Sequence, residues 1–182
     1  MKQMKFHGLS IPAMLVCLMM LLTACSSVDP EQINSQQSAK GVKLISTQDA
    51  DKMRDARGQT LYVPGYSNIY YSDNSIFQLT TTLSIHNIDP EQPIVVRTVK
   101  YYNSDGDLVR NYLDQPAVLK PLATLHYVVD HRDTSGGIGA NFMVDWFAET
   151  NVPVPAVEAV MIGASNNQGI SFLTNARVIK EH

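Results

Sequence analysis

The run IFQLTTTLSIHN, residues 76–87, alternates apolar and polar side chains with a period of two. Phe77, Leu79, Thr81, Leu83 and Ile85 fall on one side, while Gln78, Thr80, Thr82, Ser84 and His86 fall on the other. Successive side chains of extended backbone point to opposite faces, so this is the pattern of a half-buried strand. Further strand-length runs follow: IVVRTVKYY, DLVRNYL, TLHYVVD, ANFMVDWFAE, VEAVMIGA and ISFLT. Between them stand turn-forming stretches such as NIDPEQP, NSDG, TNVPVPA and SNNQG. Helical periodicity appears nowhere beyond Thr60, and no run has the length or flanks of a parallel βαβ crossover. The expectation is an all-β fold, a single antiparallel β-sandwich of general immunoglobulin-like form. A small closed β-barrel is the alternative.

Within this pattern, Leu125, Tyr127 and Val129 point inward, as do Phe142, Val144 and Trp146. IVVRTVKYY does not keep one phase. Val99 and Tyr101 suit one phase, Ile94 and Val96 the other, and a bulge near Arg97 and Thr98 reconciles them. The alternative is a strand buried on both faces at its start.

The N-terminus differs from the rest. Lys2 and Lys5 precede an apolar run from Ile11 to Leu22, which matches the core of a secretory signal. It falls short of the roughly 20 apolar residues that a membrane-spanning helix needs. The run ends Leu22-Thr23-Ala24-Cys25, which resembles the lipobox of bacterial lipoproteins. That resemblance implies a diacylglyceryl group on the Cys25 thiol, cleavage before Cys25, and a further acyl chain such as palmitate on the new amine. Each buried acyl CH₂ contributes about 0.8 kcal/mol, so several chains together hold a protein stably on a membrane. Ser26 stands where an aspartate resembles an inner-membrane retention signal, which favours the periplasmic face of the outer membrane.

Three segments are therefore expected: a lipoprotein signal over 1–24, a lipidated Cys25 with a polar linker to residue 58, and a β-sandwich over 59–180. In the linker, Ser46 with Asp49 resembles an N-terminal cap and predicts a short helix over STQDADKMRDAR. Its apolar content is too small for a core element. Loss of residues 1–24 removes two lysines and no acids, which takes the net charge from −3 to −5. Such a chain, without a basic stripe, is a poor nucleic-acid binder. Cys17 leaves with the signal, so the mature domain has no disulfide, no cysteine nucleophile and no thiolate zinc site.

The segments LYVPGYSNIYY, LTTTLSIHNIDPEQPI, YYNSDGDLVRNYL, DTSGGIGANF and VEAVMIGASNNQGISF occur in this order and together resemble a bacterial family catalogued as domain of unknown function 3124. The likeness covers about Thr60 to Ile179. It implies a domain boundary and carries no catalytic role.

The richest polar stretch is HRDTSGGIGANF, residues 131–142. A serine hydrolase centred on Ser135 needs a histidine base, His131 or His126, and an acid such as Asp130, Asp133 or Asp145. Yet Asp133 occupies the position where a nucleophile elbow requires glycine, and a strand rather than a helix follows. As a turn the stretch is fully accounted for. Asp133 and Ser135 bond nearby amides, while Gly136, Gly137 and Gly139 accept unusual backbone angles. Its amides also make it a candidate ligand or partner loop.

In NSDGDLVRNYLD, the residues Asn103, Asp105, Asp107, Asn111 and Asp114 fall at the oxygen-ligand positions of a calcium loop. The glycine belongs at the sixth position, where Leu108 stands, and Gly106 comes two residues too early, so a hairpin turn is favoured over a calcium-dependent adhesion module. His86, His126 and His131 have no zinc spacing and are expected solvated. No cofactor or metal is expected, and no catalytic residue is assigned. Of eight tyrosines, Tyr101 and Tyr127 are expected in the core with hydroxyls at its rim, leaving Tyr70, Tyr71 and Tyr102 as surface candidates. The expected role is a membrane-anchored, non-catalytic binding or structural module for an envelope protein or a glycan.

Overall fold

The computed structural model describes residues 41–165 and 168–182. The expected signal, Cys25 and the first part of the linker lie outside the described residues. The elements in chain order are β1 (Val42–Leu44), α1 (Thr47–Lys52), β2 (Arg57–Pro64), β3 (Asn68–Ser72), β4 (Ser75–Gln78), β5 (Thr80–His86), β6 (Ile94–Tyr102), β7 (Leu108–Asn111), β8 (Ala117–Leu119), β9 (Thr124–Val129), β10 (Asn141–Ala148), β11 (Ala156–Ser165), β12 (Gln168–Asn175) and β13 (Arg177–Glu181).

Two antiparallel sheets make a sandwich, and neither closes into a barrel. The larger runs β1-β8-β6-β10-β2-β13, with β7 also paired to β6; the smaller runs β12-β11-β5-β9. β3 and β4 form a separate two-stranded ribbon. The inward faces meet in one core. Leu61, Val99, Tyr101, Phe142, Val144 and Trp146 come from the large sheet, and Leu83, Ile85, Tyr127, Val129, Ala159 and Met161 from the small one. With no disulfide in the domain, this apolar burial, at roughly 25 cal/mol per Å², is the main stabilising term.

The two-phase strand is explained by a bulge. Asp145 pairs with Thr98 but Trp146 pairs with Val96, so Arg97 is an extra residue in β6. The insertion returns Ile94 and Val96 to the core side already occupied by Val99 and Tyr101. It also divides the work of β6, whose first half pairs with β8 and whose last residues pair with β7. Val95 and its partner Phe147 face the other way and are buried as well. There the Arg97 guanidinium lies 3.9 Å from the Phe147 ring centre and bonds Asp55 at 2.9 Å.

Three expectations need correction. First, the linker does not run free to residue 58. β1 pairs with β8, α1 is capped by Ser46 as expected, and Ala50 within it is only 1 % exposed. Polar composition hid one buried methyl group. Second, IFQLTTTLSIHN is two strands. At Leu79 the amide turns to the Ser67 carbonyl, 2.9 Å away, and pairing passes from β3 to β11 and β9 while the alternation continues. Third, the Tyr101 and Tyr127 hydroxyls do not reach the rim; both oxygens are buried without a hydrogen-bond partner.

Replacing Ala50 by aspartate tests the first correction. Placing a charge at this buried site should lower the unfolding free energy in urea by about 1–3 kcal/mol, whereas a solvated spacer predicts a change within about 0.5 kcal/mol.

Candidate functional site

The glycine-rich loop between β9 and β10 is held from two sides. Ser104, in the β6–β7 turn, gives its amide to Gly136 O at 2.9 Å and its hydroxyl to the same oxygen at 3.1 Å. The Ser104 hydroxyl also accepts from the Gly139 amide at 2.8 Å. Ser67 donates its hydroxyl to Gly137 O at 2.9 Å. Gly137 has φ +72°, and a Cβ at Gly136 would overlap the Tyr101 hydroxyl beneath. Much of the loop's backbone polarity is thus spent internally, and its glycines are there for turning and close approach.

Ser135 donates its hydroxyl to Asp133 Oδ1, which also accepts from the Ser135 amide at 3.1 Å. The second Asp133 oxygen accepts from Arg110 Nη2 at 3.0 Å, and Arg110 Nη1 donates to the Tyr112 hydroxyl at 3.1 Å. Partial burial works against ionising Asp133, but the Ser135 bonds and the Arg110 charge outweigh it and hold the carboxyl below its usual range. His131 lies 3.4 Å from Asp130, and His126 sits opposite Ser84 on β9. Neither histidine bonds Ser135, so the residues of the hydrolase alternative do not come together. Burial, partly offset by the Ser67 hydroxyl alongside, pushes the Tyr101 phenol up to about 12.

The acidic turn is a hairpin. Asn103 Oδ1 accepts from the Asp105 and Asp107 amides at 3.0 and 2.8 Å, and Gly106 has φ +86°. Asn111 lies in β7, opposite Lys100. Among the described residues no cluster of histidine, cysteine, aspartate or glutamate is placed to hold a metal ion. His86 meets the Thr124 hydroxyl at 2.9 Å. His182 lies between Asp55 and Asp145, at 3.1 and 3.3 Å, beside Arg97.

Tyr70 and Tyr71 are 60 % and 69 % exposed, whereas Tyr102 is half-buried. Tyr71 belongs to a feature that strand patterns do not reveal, an open groove of about 780 Å³. The β3–β4 ribbon forms one wall with Ile69, Tyr71, Ile76 and Phe77; the ends of β11 and β12 form the other with Ile162 and Ile170. Gly163 allows the walls to meet at their base, since a Cβ there would fall 2.7 Å from Gln78 O and against the Phe77 ring. A glycine inside a strand pattern is the sequence signal for such an approach. His131 and Gln78 reach the same groove, and Gln78 Oε1 is buried without a partner. Apart from His131, none of the lining side chains can carry a charge near neutral pH.

The family model described as Protein of unknown function (DUF3124) matches residues 58–179. The chain belongs to this family. All of the groove and the glycine loop lie inside the DUF3124 span, whereas β1, α1 and His182 lie outside it. No curated protein matches the chain. A solved structure, that of Thermotoga maritima 1070, is similar over 65 % of this chain and 92 % of its own, at 14 % identity and a TM-score of 0.42. No helix of the described residues is long and apolar enough to cross a membrane.

The packed state of the glycine loop has a measurable consequence. Gly136→Ala should cost about 1–3 kcal/mol in urea unfolding through overpacking. Tyr101→Phe, which removes an unpartnered hydroxyl, should be close to neutral alone and should restore part of the loss in the double variant. Equal losses with and without Tyr101→Phe would show that the loop does not press on that hydroxyl.

Proposed function

We propose that this DUF3124 protein is a lipid-anchored, non-catalytic binding module of the bacterial envelope, held by Cys25 at the periplasmic face of the outer membrane. Its groove takes an apolar segment of another envelope protein. The observation that carries this reading is the groove itself. It is concave, of ligand size and lined by four isoleucines with two aromatics, and it lies among the exposed residues rather than in the core. Aliphatic walls favour apolar side chains over sugar rings, which stack best on flat aromatic faces.

The non-catalytic part is supported by the bonding of Ser135, whose hydroxyl goes to a carboxylate rather than to a histidine. The anchor is supported by the sequence around Cys25, where Leu22-Thr23-Ala24-Cys25 resembles a lipobox.

A photo-reactive phenylalanine analogue in place of Tyr71, activated in intact cells, tests the binding role. It should give a discrete protein adduct that is strongly reduced when Ile162 is also changed to aspartate. The same analogue at Leu122, exposed on another surface, should not give that adduct. An adduct equal at both positions, or one with glycan alone, contradicts the proposal. For the anchor, Cys25→Ser should abolish lipid labelling and release the protein from the membrane fraction; continued labelling contradicts the assignment.

A further inference from the structure

A second surface adjoins the groove, along the free edge of β12, whose first residues also line the groove wall. Strand edges expose unpaired amides and carbonyls that pair readily with another chain, and proteins usually blunt them with charge, a bulge or short length. The other edges here carry such devices. β13 has Arg177, Lys180 and Glu181 with a register shift, β1 is three residues long with a lysine, and β7 is four residues with Arg110. β9 runs directly into Asp130, His131 and Arg132.

β12 has none of them. Its eight residues, QGISFLTN, contain no charge and no proline, and they pair with β11 through an uninterrupted register. Among the described residues nothing pairs with its outer edge.

The solvent face beside that edge is unusual too. On β5 it is polar, with Thr80, Thr82, Ser84 and His86. On β11 and β12 it turns apolar, with Val160 opposite Leu173 and Ile162 opposite Ser171. Ile162 is 51 % exposed and Leu173 46 %. Apolar surface thus collects where backbone bonds are also unfilled.

We propose that β12 pairs antiparallel with β12 of a second copy of this chain about a twofold axis near Ser171, joining the two small sheets into one of eight strands. A second copy suits the edge for a reason of charge. An uncharged strand opposed to itself brings no like charges together, and the twofold sets the two Val160–Ile162–Leu173 patches side by side as one apolar surface. Phe172 and Thr174 point to the opposite face, where Phe172 packs on Tyr66 and Thr174 bonds Pro64 O, so pairing leaves the core contacts of β12 in place. The interface shares Ile162 and the start of β12 with the groove wall, but Ser171 and Leu173 are not part of that wall, so substitutions at residue 171 test the edge without changing a groove side chain.

The test uses the full chain purified in mild detergent. Under mild oxidation Ser171→Cys should form a covalent dimer well above the parent chain, whose cysteines are Cys17 and Cys25 alone. Thr82→Cys, on the same face but an inner strand, should not. Ser171→Lys should raise the dimer dissociation constant about tenfold or more, equivalent to roughly 1.4 kcal/mol. Mixing it with Ser171→Glu should recover dimers, a rescue that misfolding cannot produce. Equal crosslinking at residues 171 and 82, or a dimer indifferent to Ser171→Lys, would overturn the proposal; capture of a different protein at residue 171 would replace the second copy as occupant.

Discussion

Arg97 is a single residue inserted into a ladder, and the geometry of the large sheet follows from it. Without the insertion, Ile94 and Val96 would face away from the side where Val99 and Tyr101 are buried. With it, both halves of β6 cover the same core, and β10 supplies Phe142, Val144 and Trp146 directly across. The inserted side chain is used as well. Its guanidinium covers Phe147 on the opposite face and bonds Asp55 just beyond α1, so the bulge also fastens the N-terminal segment to the sheet.

A second constraint is close approach at glycine. Gly136 lets the β9–β10 loop sit on Tyr101, and Gly163 lets the β3–β4 ribbon sit on β11. Around the first contact the loop carbonyls accept from Ser104 and Ser67, and the Ser135 hydroxyl goes to Asp133, so Ser135 and the histidines are not brought together. The second creates the groove, since two hairpins that touch only at their base must diverge above it. Loop and groove thus owe their different characters to where the missing side chain falls.

Local signals in the sequence were strong where a structure is decided locally. The alternation around Leu83, the phase slip at Arg97, the turn at Asn103–Gly106 and the cap at Ser46 all have near-neighbour causes, and each is present. The break at Leu79 was illegible because it depends on the Ser67 carbonyl, brought there by the fold. Ala50 was missed because a single buried methyl leaves no periodicity. The groove joins residues from Ile69 to Ile170, and His182 finds its carboxylates far along the chain, so neither has a sequence pattern of its own. Of the surface aromatics, Tyr70 and Tyr71 are exposed on the β3–β4 ribbon, whereas Tyr102 is half-covered.

The bulge at Arg97 admits a direct test by comparing its deletion with its substitution. Arg97→Ala keeps the residue count and loses only partly exposed contacts, so urea unfolding should stay cooperative with a loss of about 1–2 kcal/mol. Deleting Arg97 forces one half of β6 out of phase, and the unfolding free energy should fall by more than about 4 kcal/mol or the cooperative transition should vanish. Matching unfolding curves for the deletion and the alanine variant would contradict the account.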